Sequence, residues 1–259
     1  MLPKAVERFE KWFHTPPPEE SSDPRFEVRQ AHPSEFERLY DLVDEAFAVK
    51  RPRALFDWLY RDNPSGPAHC WVVVEKASGR LVCQNAFWPW PIAHGVDAHL
   101  GYLAGDHVVA PGWQRQGIAE VRRRAWDGHP LDAVRVTLGW PNQKTEARLR
   151  KRGLAHALVG PLLEGVLRLG GGPRRRWKGL IDEIRYRGLR VEEVTRFEPG
   201  LDGLTRRCMN WEGFWCPHDA EFLNWRYFAH PIRSYRALAA LDGDDPVGYF
   251  VLRTDERAA

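Results

Sequence analysis

The residues best placed to do chemistry lie in Val109-Ala-Pro-Gly-Trp-Gln-Arg-Gln-Gly-Ile-Ala119. Pro111 and Gly112 end an apolar run, and Ile118 to Trp126 continue with helical periodicity. The stretch therefore reads as strand, tight loop and helix N-terminus. Such a loop leaves the amides of roughly Gln114 to Ala119 unpaired, at the positive end of a helix dipole. Anions bind there. Gly117 has no Cβ to hold a phosphate off the backbone, and Ala119 keeps the first turn slim. Gln114 and Arg115 add side-chain donors, the guanidinium bonding phosphate through two N–H groups. On physical grounds the stretch is a pyrophosphate cradle.

The elements around it must hold that loop in place. Arg25 to Gln30 reads as a strand, and a helix opens at His32-Pro-Ser-Glu-Phe with Ser34 as N-cap and runs to about Val49. Leu39, Leu42, Val43, Ala46 and Phe47 form its buried stripe. A second helix, Ala54 to Asp62, stops at Asn63-Pro64. Cys70 to Lys76 and Arg80 to Trp88 are strands about an Ala77-Ser-Gly79 turn, and Gly101 to Val109 is the strand feeding the cradle. Beyond the cradle helix, Ala133 to Leu138 has the β-branched content of a sheet centre. A helix at Lys144 to Arg152, closed by Gly153, and one or two strands within 154–169 follow.

Val109-x-Pro111-x-Trp113-Gln114-Arg115-Gln116-Gly117-Ile118-Ala119 resembles motif A of the GNAT superfamily of N-acetyltransferases, whose core is Gln/Arg-x-x-Gly-x-Gly/Ala. The element order is also the one that fold uses, and the resemblance covers about residues 26 to 169. It implies an α/β GNAT fold, a mixed central sheet flanked by helices. It also implies acetyl-CoA as co-substrate, with its pyrophosphate on Gln114, Arg115, Gln116, Gly117, Ile118 and Ala119. By the same resemblance, direct attack of an amine takes place beside the fourth strand, where the backbone at Val108 and Val109 meets the acetyl group.

Acyl transfer to an amine needs a neutral nucleophile, a polarised carbonyl and a proton for the leaving thiolate. Asp106 and His107 precede the cradle on its strand. Adjacent strand residues face opposite sides, so one of them points into the gap. His107 is the first choice of base because imidazole titrates near neutrality; Glu75, Asp97 and His99 stand behind the two. Leu149 occupies the place where many relatives carry the tyrosine that serves as acid. Arg122, at the head of Arg122-Arg-Arg, can reach the CoA 3′-phosphate. Asn142, at the end of the fifth strand, can bond the pantetheine or an ordered water.

Three segments are expected: an amphipathic helix at 3–13 with a Pro-rich linker (1–24), from periodicity and composition; a GNAT domain (25–169), as the resemblance implies; and a partial GNAT-like repeat (170–259). The repeat rests on a shift of 167 that aligns Phe56-Asp-Trp58-Leu-Tyr60 and Pro64 with Leu223-Asn-Trp225-Arg-Tyr227 and Pro231, and Phe47 with Phe214. The expected second half is a strand, a helical stretch, the Trp/Tyr/Pro helix and a hairpin about Asp242-Gly-Asp, packed on the first domain along its substrate side. A tandem arrangement with an incomplete second copy is one reading; a non-catalytic acyl-CoA-binding module is another.

The chain has 259 residues and is 43% hydrophobic, enough for a sizeable core. Its four cysteines form no C-x-x-C pair and no metal-like cluster, so reduced thiols and no metal are expected. A net charge of +3 suits an anionic co-substrate and does not argue for nucleic acid. No apolar run nears membrane-spanning length and Met1 to Glu10 lacks a signal-peptide core, which points to the cytoplasm. The expected acceptor is a small-molecule or peptide amine, with a homodimer open as the assembly.

Overall fold

The computed structural model of the protein describes residues 23–94, 97–121, 137–138, 188–208 and 214–253. The sequence-based helices at 3–13 and 144–152, the strands within 154–169, and Arg122, Asn142 and Leu149 lie outside these residues.

The first strand, β1 (Phe26–Gln30), begins one residue later than expected. The helix after it is entered through a 3-10 turn at Pro33–Glu35, capped by His32 instead of Ser34. The His32 ring accepts the Ser34 N–H at 3.2 Å, and the Glu35 carboxylate accepts the His32 N–H at 3.0 Å. That is a reciprocal capping box with a histidine in the usual Ser/Thr place. Arg29 fixes the other end of Glu35 at 2.7 Å, and its guanidinium holds the Glu35 carboxyl below the usual range. Helix α1 (Phe36–Phe47) then buries Phe36, Leu39, Tyr40, Leu42 and Val43 and stops at Ala48, which is left-handed at φ 52°. Helix α2 (Arg53–Tyr60) buries Phe56, Trp58 and Tyr60.

The main sheet has the order β1-β2-β3-β4-β5, with β2 His69–Glu75, β3 Arg80–His94, β4 Asp97–Val109 and β5 Thr137–Leu138. Pairs up to β4 are antiparallel and β5 runs parallel to β4, so the sheet is mixed. One face packs against α1 and α2 through Val72, Val74, Ala86, Trp88 and Val108. The other gathers Trp71, Val73, Phe87, Tyr102 and Ile118.

Strand β3 continues six residues past the expected end at Trp88, through two prolines. β2 pairs with β3 only as far as Phe87, so beyond that point one edge of β3 is vacated. The Pro89 carbonyl faces that edge, where Asn63 Nδ2 donates to it at 2.8 Å. The N–H that proline lacks would point the same way, so the β3–β4 ladder loses nothing.

A second, antiparallel sheet has the order β6-β8-β9, with β6 Arg190–Val194, β8 Tyr235–Asp242 and β9 Asp245–Arg253. Between β6 and β8 lie α3 (Leu201–Cys208), β7 (Phe214–Trp215) and α4 (Ala220–Leu223), which runs into a π-helical turn at Asn224–Phe228. Strand, two helices and hairpin thus recur in the order of residues 26–94. Trp58 and Trp225 stack at 4.7 Å between ring centroids. Each indole N–H donates to the other's backbone carbonyl, at 2.9 and 3.0 Å. Phe47 and Phe214 do not correspond: the first ends a helix and the second lies in β7, which pairs with the far end of β3.

Candidate functional site

Strand β4 carries a bulge just before the cradle. Gln84 on β3 pairs with Val108 and Ala86 with Gly105, so Asn85 alone spans both Asp106 and His107. Asp106 takes up the extra residue at φ 45°, a left-handed conformation that Asp tolerates better than most residues. Gly105 beside it has no room for a Cβ, which would meet Trp88 Cζ3 at 2.3 Å.

The bulge sends its two residues to opposite faces. Asp106 turns toward α1 and α2, its side chain only 8% exposed. Arg51 Nη1 donates to both carboxylate oxygens, at 2.9 and 3.2 Å, and the Tyr60 hydroxyl donates to Oδ2 at 2.9 Å. Tyr60 is fully buried and accepts from buried Gln84 at 3.3 Å. Burial first, and then the Asp106 charge, raise the Tyr60 pKa well above the usual phenol value. His107 is exposed and lies 6.2 Å from the Phe87 ring, on the face that carries Ile118.

Three more polar groups on that second face were not singled out from the sequence. His69 and Tyr102 are buried with ring centroids 5.3 Å apart. Burial pushes the His69 imidazole down to about 3 and the Tyr102 phenol up to about 12, so both are neutral at physiological pH. Asn85 is 3% exposed, and its Oδ1 has no hydrogen-bond partner among the described residues. An unpaired buried amide oxygen costs about 1–3 kcal/mol. The polar residue of an otherwise apolar strand was the available signal for His69 and Asn85. Glu75, a weaker base candidate, ends β2 beside the Ala77-Ser-Gly79 turn.

The cradle comes directly after the bulge. Ala110 is buried and its N–H donates to the Val82 carbonyl at 2.8 Å, fixing the end of β4. Trp113 packs into both faces of the core and meets Phe26 edge-on at 6.0 Å, which makes it a plug beneath the loop. Gln114 to Gly117 are exposed. The φ sign alternates there, with Arg115 at 65° and Gly117 at 77°. Alternation of hand turns successive N–H groups to one side and forms an anion-binding nest. Among the described residues, no carbonyl pairs with the amides of 114–119.

Helical structure starts at Ile118, as the sequence indicates, and Ile118 itself is 1% exposed, anchoring the turn in the core. A Cβ on Gly117 would meet nothing within 4 Å, so the nest opens outward. Gln116 Nε2 donates to the Gly112 carbonyl at 3.1 Å, and Gln114 Nε2 reaches the Val109 carbonyl at a long 3.4 Å. Both glutamine side chains thus brace the loop. Arg115 makes no hydrogen bond or ion pair with another described residue. Ala119 is exposed on the first turn, Val108 is core, and Val109 is half-buried. These residues fit a diphosphate: open backbone donors, a missing Cβ and an adjacent guanidinium.

The second sheet contacts the opposite end of the β3–β4 hairpin. Trp58 and Trp90 join its cluster, with Phe222 edge-on to Trp90 at 5.1 Å, and β7 pairs at Ala93 and His94. Cys83, beside the cradle, is ten residues from Ala93, roughly 30 Å along the strand. Cys70, Cys83 and Cys216 are in no disulfide, and no His/Cys/Asp/Glu cluster suited to a metal occurs among the described residues. No helix among those residues is long and apolar enough to cross a membrane.

No family model and no curated protein matches the chain. Among solved structures it resembles a GCN5-related N-acetyltransferase from Anabaena variabilis, with a TM-score of 0.50 and 12% identity, over 89% of this chain and 55% of that one. Looser likenesses are a conserved protein of unknown function from Enterococcus faecalis (TM-score 0.48, 12% identity, 89% and 56% covered) and a GNAT family acetyltransferase from Brucella melitensis in complex with acetyl-CoA (TM-score 0.35, 15% identity, 54% and 91% covered). The chain spans little more than half the length of the Anabaena and Enterococcus proteins.

Proposed function

We propose that this chain, which has the GNAT fold, is an acyl-CoA-dependent N-acyltransferase acting on a primary amine, with acetyl-CoA as donor. The observation that carries the reading is the exposed nest of unpaired amides at 114–119, opening over Gly117 directly after a bulged β4.

In this reading the 114–119 amides and Arg115 hold the pyrophosphate, Arg122 takes the 3′-phosphate, and Asn142 bonds the pantetheine. When bound, the thioester supplies the activated acyl carbon. The Val109 backbone amide, on the edge of β4 turned away from β3 as the Val82–Ala110 bond sets the ladder, donates to the thioester oxygen, with Val108 beside it, and stabilises the charge that develops there. His107, exposed on the cradle face, removes the proton of the attacking ammonium. Asn85 Oδ1, buried and unpartnered on that face, accepts a hydrogen bond from the amine. Leu149 offers no proton to the leaving thiolate, which is the feature favouring the second reading, a non-catalytic acyl-CoA-binding module. The proposed acceptor is a small-molecule or peptide amine. A second GNAT-like unit within 170–259, a homodimer and a cytoplasmic location belong to the same proposal, the repeat being supported by the recurring element order and the Trp58–Trp225 pairing.

Thiol release from acetyl-CoA across a panel of amines separates the readings. The enzyme reading expects amine-dependent release that His107→Gln lowers by about 10²-fold; binding of acetyl-CoA without release by any amine supports the module instead.

A further inference from the structure

The most heavily engaged ionisable side chain near the cradle is the one that never reaches it. Asp106 was a candidate base by its place on β4, yet both of its oxygens are taken by Arg51 and one also by Tyr60. Tyr60 in turn accepts from Gln84, the β3 residue that pairs with Val108 across the bulge. The four residues come from the α1–α2 connection, α2, β3 and β4, and close a loop of contacts around one backbone irregularity. A left-handed non-glycine residue costs about 1 kcal/mol or more unless its surroundings impose it. Here they do so from the α face, with Trp88 lying over Gly105 and excluding a Cβ there.

A bulge swivels the strand beyond it. Strict alternation from Tyr102 and Ala104, both on the cradle face, would put Asp106 on that face and His107 on the α face. The anchored bulge reverses this, leaving Asp106 against the helices and His107 exposed beside Phe87. It also sets the ladder beyond it, in which the Val108 N–H faces Gln84 of β3 and the Val109 N–H faces the open edge.

We propose that Asp106 is a positioning residue: its bonds to Arg51 and Tyr60 fix the hand of the β4 bulge, and thereby aim the Val109 amide and His107 at the acyl group. This rests on the N-acyltransferase reading. Displacing a reacting group by about 1 Å can cost on the order of 10²-fold in rate, so the anchor should govern turnover more than binding.

The test compares wild type, Tyr60→Phe and Asp106→Asn in the full chain. Each variant keeps the shape of its site, and Asn tolerates the left-handed backbone. The expected result is kcat lowered about 10- to 100-fold in both, KM for acetyl-CoA within about twofold of wild type, and an unchanged pH limb. Calorimetry should also show a reduced preference for acetyl-CoA over free CoA in both variants, since the thioester oxygen loses its aimed donor.

Loss of the pH limb in Asp106→Asn with Tyr60→Phe near wild type would make Asp106 the base and overturn the proposal. A lower melting temperature with kcat and thioester preference intact would reduce the network to stability alone and overturn it equally. A wild type that binds neither acetyl-CoA nor CoA would sink the N-acyltransferase reading, and this inference with it.

Discussion

Residues 26–94 and 190–253 run through the same order of strand, two helices and hairpin, and each presents a Trp-x-Tyr helix, Trp58/Tyr60 and Trp225/Tyr227. The tryptophans have one fate in both: they stack on each other and exchange indole-to-carbonyl bonds. The tyrosines differ. Tyr60 is fully buried and bonds Asp106 of β4, whereas Tyr227 is half-buried and meets the Tyr235 ring at 5.1 Å. The Trp pairing between the two is therefore shared, and the proposed chemistry rests on features described only in the first, a bulged fourth strand and an open loop.

The largest effect should come from the shared feature. Trp58→Ala and Trp225→Ala each delete a stacked ring and a buried N–H bond, and each should cost about 3–5 kcal/mol by urea unfolding. The double variant should fall short of the sum of the two singles by about 0.5–3 kcal/mol. A large cost on one side only would break the equivalence.

Acid sensitivity should sit mainly in the first half. Burial lowers His69 to about 3, and it lowers His218 and His230 as well. The unfolded chain takes up the His69 proton near pH ~6.5, before the folded one does. Its contribution is thus complete above that pH and is lost as pH falls toward 3. His69→Phe should shrink the stability difference between pH 7 and pH 4 by about 3 kcal/mol, and His230→Phe by less; the reverse order would misplace the sensitive site.

The glycines give the smallest contrast. Gly105→Ala drives a methyl into Trp88 and should cost about 1–3 kcal/mol. Gly248 on β9 has open space and an ordinary backbone, so Gly248→Ala should gain about 0.5 kcal/mol. Thermal melts of both variants check the pair.

Local features were legible in the sequence wherever a residue type forces a conformation. The cradle loop, the helix start at Ile118, both hairpin turns and the tryptophan repeat all arise from glycine, proline and aromatic spacing. The His32 cap was not, because its carboxylate partner Glu35 is itself fixed from β1 by Arg29. β3 runs past its expected end at Trp88 through Pro89 and Pro91, and the vacated edge that tolerates them depends on where β2 ends, which the local sequence does not show. The part played by Asp106 was hidden most deeply. Its partners lie 55 and 46 residues away, and the bulge that turns it from the cradle face leaves no mark on the hydrophobic pattern.

The proposed cofactor binding, and every catalytic role proposed around it, depends on Gly117 and the nest it opens. Calorimetric titration with acetyl-CoA should give saturable 1:1 binding in the wild type and none at millimolar ligand in Gly117→Glu, where bulk and negative charge meet the phosphates, with Gly117→Gln separating charge from bulk. Unchanged affinity in Gly117→Glu, or a wild type that binds neither acetyl-CoA nor CoA, would contradict that dependence.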